Sequence, residues 1–371
     1  MEKREKKTLL LLVGTFLLFY FMPMGAERFE GALLSGFELL HEYAREHILT
    51  CLLPAFFIAG AIAAFVKKEV ILRFLGGKAK KHIAYGLASV SGIALAVCSC
   101  TILPIFAGIR KRGAGLGPAT TFLFSGPAIN IAAIFLTLNV LGFQIGIARI
   151  VAAVLLAVLV GLSMQLIFRE KPEEGALHTG KEEGAGIKKS ILALFFLSLL
   201  GILIVNGLQV GETIKYTVIA AFSLVVVGIA VFQFQKETRN AWLKETWNFT
   251  KLILPVLFIG VFVAGFIMPF IPERLVENIV GDNSVLGNIV ASVFGIFMYF
   301  STLTEVPILQ ALTEKGMHHG PALALLLGGP SLSLPNMLVI RKVLGNKKTS
   351  VYILLVIIYS TIAGLIFGYL F

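Results

Sequence analysis

The sequence has little charge, few cysteines and no long polar domain. Charged residues make up 14% of the 371 positions, about half the share of a typical soluble domain, and the mean hydropathy is +0.89. A water-soluble fold is therefore excluded. Three cysteines, all in apolar segments, are too few for a disulfide framework. No phosphate-binding loop, zinc-ligand spacing, dinucleotide-binding motif or catalytic triad is evident, so neither ATP-driven transport nor an enzymatic function is expected.

Long apolar runs are the dominant feature of the sequence, and they recur along the whole chain. Many are long enough to cross ~30 Å of hydrocarbon as helices of about 20 residues. Their length and weak alternation favour helices over β-barrel strands. The predicted fold class is therefore all-α, a polytopic transmembrane helical bundle. Spans are predicted near residues 8–24, 47–66, 115–138, 144–168, 188–207, 215–234, 248–268, 319–340 and 351–370.

Three segments near or between these runs have a different character. The N-terminus has a basic flank before an apolar core but no clear cleavage site, which predicts an uncleaved first span. Residues 28–46 are predicted to form a surface helix on the membrane. Residues 169–189 are polar and charged and are predicted to be a linker. The apolar residues at helical spacing in the surface segment are Phe29, Leu33, Phe37, Leu40 and Tyr43.

An internal repeat is the most informative feature of the sequence. The run ASVSGI at 88–93 returns 203 residues later as ASVFGI, and matched Gly and Pro residues follow it up to Gly-Pro pairs at 126–127 and 329–330. Matched Gly and Pro are harder to obtain by chance than matched Leu or Val. The chain is therefore predicted to comprise a first transmembrane repeat (1–168), a cytoplasmic linker with a connecting span (169–214) and a second repeat (215–371).

The basic residues indicate how the chain is oriented. The net charge of +11 comes from short Lys and Arg clusters between apolar runs, which fits the positive-inside rule better than a nucleic-acid-binding face. If 82–110 and 285–313 are re-entrant or broken-helix hairpins, 26 of the 32 Lys and Arg residues lie inside with the N-terminus, and Arg149 is among the six exceptions. An odd number of spans then separates the copies, so the repeat is predicted to be inverted. The alternative is that each hairpin is one tilted full span.

The sharpest local motif runs from Cys98 to Pro104, CSCTILP. Pro104 removes a helical hydrogen bond and clashes with the carbonyl group of Cys100, so the backbone is predicted to open there. The outgoing arm, about nine residues or ~14 Å of helix, places this opening near the bilayer midplane. Two thiols in an opened turn suit thiophilic centres such as Cu(I), Zn and trivalent arsenic. The alternative is that small residues here let helices pack closely.

The equivalent run in the second copy is STLTEVP, from Ser301 to Pro307. At the same offset Ser301 replaces Cys98, Leu303 replaces Cys100 and Glu305 replaces Ile102, so hydroxyl groups take the place of the thiols in this run only through Ser301, Thr302 and Thr304. Because a charged carboxylate is unfavourable in an apolar segment, Glu305 is predicted to carry a proton or a cation. The alternative is a glutamate near the interface or one satisfied by backbone donors.

A Gly-Pro pair follows each hairpin, ending at Pro127 in the first copy and at Pro330 in the second. Such a pair is predicted to unwind the span and to free backbone groups for a ligand. Asn130 and Asn336 follow the two breaks and supply amides that can donate or accept hydrogen bonds. The alternative is a kink satisfied by neighbouring helices.

The stretch CSCTILPIFAGIRKRGAGLGPATTFLFSGPAIN, residues 98–130, resembles the bacterial and archaeal predicted permease family that includes the trivalent organoarsenical efflux permeases. The likeness covers nearly the whole chain, including TLTEVPILQALTEKGMHHGPALALLLGGPSLSLPN at 302–336. It implies a permease of the prokaryotic cytoplasmic membrane that works in efflux. It also implies that Cys98 and Cys100 correspond to the family's cysteine pair, with methylated arsenite as one candidate substrate.

Together these features predict a secondary-active permease that exports a small thiophilic solute, such as a trivalent organoarsenical, with proton coupling through Glu305. Its predicted partners are a small-molecule or metalloid substrate and membrane lipid, without nucleic acid, cofactor or resident metal. One alternative is a permease or channel for another small solute or metal ion, with structural cysteines; another is an intramembrane thiol redox protein. The predicted substrate-binding residues are Cys98, Ser99, Cys100, Thr101, Pro104, Pro127, Asn130, Ser301, Thr302, Thr304, Pro330 and Asn336.

Overall fold

The computed structural model describes residues 13, 16, 27–45, 48, 52–66, 74–76, 79–95, 99–129, 131–170, 189–207, 211–270, 279–297 and 305–371. Within these ranges the regular structure is helical and contains no strand. The first predicted span, 8–24, falls almost wholly outside them, as does most of the predicted linker. The helices are α1 (Glu27–Tyr43), α2 (Leu53–Phe65), α3 (Lys81–Leu95), α4 (Ser99–Lys111), α5 (Leu116–Ala128), α6 (Ile131–Val140), α7 (Phe143–Ile167), α8 (Lys189–Gly207), α9 (Glu212–Phe232), α10 (Lys236–Ile267), α11 (Val285–Phe297), α12 (Glu305–Glu314), α13 (His319–Leu332), α14 (Leu334–Leu344) and α15 (Asn346–Leu370).

Several of these helices are suited to a membrane. Among the described residues, α7, α9, α10 and α15 are each long and apolar enough to cross a bilayer. Two further pairs, α5 with α6 and α13 with α14, meet the same criteria together but are bent by 46° and 50°. The predicted spans near 115–138 and 319–340 are these bent pairs. The prediction of an all-α polytopic membrane bundle is confirmed.

The repeat found in the sequence is also a repeat of helix boundaries. The first residues of α5, α6 and α7 are each followed 203 residues later by the first residues of α13, α14 and α15. Gly142 before α7 and Gly345 before α15 both have positive φ, +96° and +81°, a conformation that glycine adopts without a steric penalty. The packing repeats as well, because α5 contacts α3 and α7 as α13 contacts α11 and α15. The inverted relation of the two copies stays a prediction.

The two halves contact each other reciprocally. In the repeat, α4 corresponds to α12 and α6 corresponds to α14. Helix α12 packs on α6, and α4 packs on α14. The counterparts α5 and α13 also pack on each other, as do α7 and α15. Reciprocal contacts of this kind are expected of an approximate two-fold relation. The bent pairs and the two long helices therefore form the centre of the molecule.

Paired glycines allow the central helices of each half to approach closely. A Cβ atom on Gly364 of α15 would lie 2.6 Å from the carbonyl oxygen of Gly320 of α13. In the first half, a Cβ atom on Gly161 of α7 would lie 2.6 Å from the carbonyl oxygen of Gly117 of α5. Membrane helices commonly pack through small residues at such crossings, because the hydrophobic effect does not drive helices together in lipid.

The prediction that the backbone opens at Pro104 is wrong. Helix α4 runs through Pro104 from Ser99 to Lys111. Because α4 begins only at Ser99, the carbonyl group that loses its donor belongs to Cys100 in the first turn, so a single bond near a helix end is lost. Pro307 lies in the first turn of α12, where its missing N–H needs no intrahelical partner. Within the predicted hairpins, 82–110 and 285–313, residues 96–98 and 298–304 lie outside the described residues.

The two breaks fall within the stretches that contain the Gly-Pro pairs, 125–130 and 328–336, as predicted. Both prolines are inside helices, and the helices end just after them, α5 at Ala128 and α13 at Leu332. In the second half a further proline, Pro335, occupies the first turn of α14, a position that favours proline. The break at Ser333 is therefore set by both prolines, one ending the first helix and one starting the next.

The segment predicted as a surface helix is helical, as α1, and it packs on α10. Its contact is made by small residues, since a Cβ atom on Gly36 would lie 3.0 Å from the ring of Phe262. Phe37 also contacts the Phe262 ring, with ring centroids 5.0 Å apart, and it is 55% exposed. Its placement on the membrane surface stays a prediction.

Candidate functional site

A fully buried arginine lies at the centre of the molecule. Arg149 of α7 has no exposed side-chain surface, and each of its three side-chain nitrogen atoms donates a hydrogen bond. Nε donates to the carbonyl oxygen of Ala128 at 3.2 Å, Nη1 to Oγ1 of Thr137 at 2.9 Å and Nη2 to Oε2 of Glu305 at 3.3 Å. Ionisable residues inside membrane helices are unfavourable unless they pair, and such pairs often mark functional positions.

Glu305, the partner of Arg149, is the first residue of α12 and is also fully buried. Its Oε2 atom accepts the hydrogen bond from Arg149, whereas its Oε1 atom has no hydrogen-bond partner. A charged oxygen atom that is buried without a hydrogen-bond partner loses its contacts with water and gains none in return, which is unfavourable. Oε1 is therefore the atom of this pair where a proton or a donor group of a ligand would be stabilised.

Arg149 also holds the bend between α5 and α6. The carbonyl group of Ala128 belongs to the last residue of α5, where helix carbonyls lack intrahelical donors and carry partial negative charge. Thr137 lies on α6 and donates its own hydroxyl hydrogen to the carbonyl oxygen of Ala133 at 2.6 Å. The guanidinium group thus joins both helices of the first bent pair to α12 of the second half.

Some of the predicted site residues lie on α4 and at the first break. Thr101 and Pro104 are buried in α4. Between them, Ile102 lies against the first break, since a Cβ atom on Gly126 would be 2.5 Å from its Cδ1 atom. Pro127 is buried in the same turn as Gly126. The structure therefore brings α4, the first Gly-Pro break and Glu305 together.

The structure gives only a helix position for some of the other predicted residues, and the rest lie outside the described ranges. Ser99 and Cys100 form the first turn of α4. The remaining predicted residues that lie outside the described ranges are Cys98, Asn130, Ser301, Thr302 and Thr304.

The second break carries the remaining predicted residues. Nδ2 of Asn336 donates to the carbonyl oxygen of Pro330 at 3.2 Å, so the amide folds back across the break. Oδ1 of Asn336 and Oγ of Ser333 have no hydrogen-bond partner, although the two side chains are only 2% and 3% exposed. Asn336 and Pro330 are therefore adjacent, and Ser333 lies between them in the chain.

Sequence reasoning missed three residues of these sites: Arg149, Thr137 and Ser333. Arg149 had a clear signal, because it is the single charged residue in the apolar run 144–168. It was interpreted only as an exception to the positive-inside rule. Thr137 and Ser333 carry no comparable signal, because hydroxyl groups are common in membrane helices.

A second ion cluster lies where α4, α7 and α15 have their charged ends. Arg110 donates to both carboxylate oxygens of Glu170, at 3.2 and 3.0 Å, and Lys348 donates to Oε1 of Glu170 at 2.5 Å. Burial raises the pKa of Glu170, but the hydrogen bonds and charges of Lys348 and Arg110 outweigh this effect and lower it below its ordinary value. The cluster connects the first half, through Arg110, with the second half, through Lys348.

Comparisons with known proteins agree with a permease built on this arrangement. The family model for the predicted permease family ArsP_1 matches residues 33–369. The UPF0718 protein MJ0584 of Methanocaldococcus jannaschii is 43% identical over 340 residues, which cover 88% of this chain and 93% of that protein. The UPF0718 protein YraQ of Escherichia coli is 23% identical over 286 residues, 77% of this chain and 67% of that protein. No solved structure matches. The chain is thus an integral membrane protein that belongs to the ArsP_1 family of predicted permeases.

Proposed function

We propose that this protein is a secondary-active permease of the prokaryotic cytoplasmic membrane that exports a small thiophilic solute, such as a trivalent organoarsenical, in exchange for protons. Membership of a permease family supports transport across the membrane. The cysteine pair at 98 and 100 supports the class of solute, because thiolates are soft ligands.

The single observation that carries the proposal is the buried ion pair between the two halves. While Glu305 is ionised, it neutralises Arg149 and holds α12 against α7. A proton on Glu305 removes that neutralisation and leaves the guanidinium group with its two bonds to Ala128 and Thr137. Proton occupancy and the contact between the halves are therefore linked, and a proton shifts the conformational equilibrium by its difference in affinity for the two states.

The solute is expected to bind through the two thiols of Cys98 and Cys100. With a methylated arsenite that carries two hydroxyl groups, each thiol gives its proton to one departing hydroxyl group. Two As–S bonds then form as two As–O bonds break, and two water molecules leave. The reverse exchange with water releases the solute, so the step needs no oxidant or reductant.

The test is uptake of a methylated arsenite into proteoliposomes with and without a pH gradient. Wild-type protein is expected to transport faster with the gradient. Glu305→Gln is expected to lose this acceleration because its side chain cannot release a proton. Cys98→Ser/Cys100→Ser is expected to lose arsenical flux, and Cys51→Ser is the matched control that retains it.

Three results would contradict the proposal. Unchanged arsenical flux in the double cysteine variant would favour a permease for another solute with structural cysteines. Thiol–disulfide turnover in detergent without any flux would favour a redox protein. An unaltered response of Glu305→Gln to the pH gradient would remove the coupling role of Glu305 while leaving the thiophilic substrate in place.

A further inference from the structure

The two bent helix pairs are equivalent in position, but their breaks differ in charge. At the first break the guanidinium group of Arg149 donates to the carbonyl oxygen of Ala128. The residues 203 positions later are Tyr352 on α15 and Ser331 on α13. A tyrosine hydroxyl group carries no positive charge. The second break therefore lacks the cation that the protein itself supplies at the first.

The second break nevertheless has carbonyl groups that lack their helical donors. Pro330 and Pro335 have no N–H group, so the carbonyl groups of Leu326 and Ser331 lose their i+4 donors. The Ser331 carbonyl group is the counterpart of the Ala128 carbonyl group that binds Arg149. The last turn of α13 also carries the partial negative charge of a helix C-terminus.

Two buried side-chain oxygen atoms at this break have no hydrogen-bond partner, and a third belongs to α15, the helix that packs on α13. Oγ of Ser333 lies in the break itself, and Oδ1 of Asn336 is held there by the hydrogen bond from Nδ2 to the Pro330 carbonyl group. The hydroxyl group of Tyr352, at the position equivalent to Arg149, is the third, and this side chain is fully buried. A buried oxygen atom left without a partner is unfavourable, so these atoms call for a ligand.

We propose that the second break binds a small monovalent cation, Na⁺, at the position that the Arg149 guanidinium group occupies in the first half. The ligands are the Ser331 carbonyl group, Oγ of Ser333, Oδ1 of Asn336 and the hydroxyl group of Tyr352. Broken membrane helices coordinate Na⁺ through freed carbonyls and helix C-termini. Its four ligands include neither the cysteine pair nor Glu305, and the site does not depend on the substrate proposed above.

The chemistry of the ligands selects this class of ion. All four are neutral oxygen atoms, whereas Ca²⁺ and Mg²⁺ sites use carboxylates and thiophilic metals prefer sulfur. The basic residues of α14, Arg341 and Lys342, are in its last turn, at the opposite end of the helix from the break. No fixed cation of α13 or α14 therefore competes at the break itself.

The experiment measures binding of radioactive ²²Na⁺ to the purified full-length protein in lipid nanodiscs, with choline chloride keeping the ionic strength constant. Wild-type protein is expected to bind about one Na⁺ saturably, with K⁺ and choline competing poorly. Asn336→Ala and Ser333→Ala/Tyr352→Phe are each expected to raise the half-saturating Na⁺ concentration at least about tenfold, the factor that ~1.4 kcal/mol produces. Asn336→Asp adds a carboxylate and is expected to tighten binding, a result that misfolding cannot imitate.

The matched control is Ser360→Ala. Ser360 also has a buried hydroxyl group without a partner, but it lies two turns along α15 from Tyr352. It should leave Na⁺ binding unchanged. The absence of saturable ²²Na⁺ binding to wild-type protein would overturn the proposal and indicate that water fills the break. Equal weakening by Ser360→Ala, or no tightening by Asn336→Asp, would place any Na⁺ site elsewhere.

Discussion

The carbonyl oxygen of Gly320 lies 2.6 Å from the place where a Cβ atom of Gly364 would be, and the reverse distance is 2.8 Å. The backbones of α13 and α15 therefore touch at this crossing. Gly117 and Gly161 make the corresponding contact between α5 and α7, 203 residues earlier. Each half thus has its own close helix crossing, which is formed only by residues of that half.

Replacing Gly364 with alanine is expected to destabilise the protein. The added methyl group would lie 2.2 Å from Oδ1 of Asn288 and 2.6 Å from the Gly320 carbonyl oxygen, so α15 must move away from α13. Forcing a group into such a contact costs typically about 1–3 kcal/mol. Thermal unfolding in detergent measures the loss. Gly228→Ala in α9 is the control, because nothing lies within 4 Å of its Cβ position, and no loss is expected there.

Removing one member of the Arg149–Glu305 pair is expected to destabilise the protein more than removing both. Either Arg149→Gln or Glu305→Gln leaves the opposite charge buried without its partner, at a cost of about 3–5 kcal/mol. The double variant removes both charges and should recover much of that loss. Unfolding midpoints of the four proteins give the coupling between the two sites. Strictly additive losses would show that the two side chains do not interact.

The ion cluster around Glu170 is expected to make stability depend on pH in the acidic range. Its pKa is lower in the folded protein than in the unfolded chain because Lys348 and Arg110 outweigh the effect of burial. Its contribution is therefore complete above the unfolded value of ~4.3 and is lost as the pH falls through the lower folded value. Unfolding midpoints of wild type and Glu170→Gln should differ at pH 7 and converge at low pH. A constant difference across this range would contradict the assignment.

Gly345→Ala is expected to destabilise the protein although nothing lies within 4 Å of its Cβ position. Its φ of +81° and ψ of +167° lie in a region that is essentially restricted to glycine, and strain there is of order 1–3 kcal/mol. Gly211→Ala is the control, since Gly211 also has open space and also precedes a helix, but with φ of −53°. Thermal unfolding should separate the two variants, and equal stability would exclude backbone strain at Gly345.

The sequence was sufficient to predict the helical membrane fold, the repeat and the two bends, because periodic Gly and Pro residues and apolar length act locally. The predicted backbone opening at Pro104 was wrong. The number of helical hydrogen bonds that a proline removes depends on how close it lies to the start of its helix, and α4 begins at Ser99.

The central ion pair could be predicted only in part. Glu305 was recognisable as a carboxylate in an apolar segment, and its need for a partner follows from physical chemistry. Its partner lies 156 residues earlier, and nothing in composition or local spacing connects the two. The 203-residue offset already pairs Arg149 with Tyr352, but only the structure shows that Arg149 binds the Ala128 carbonyl group at the first break.

The hydrogen bonds of Arg149 are divided unequally between the halves of the molecule. Two of its three nitrogen atoms bind acceptors within its own half, and one binds across to Glu305. If the halves rock apart, the positive charge moves with the first half, and the halves separate between the guanidinium group and the carboxylate. The electric field across the membrane would then act on that motion, making the turnover rate sensitive to voltage.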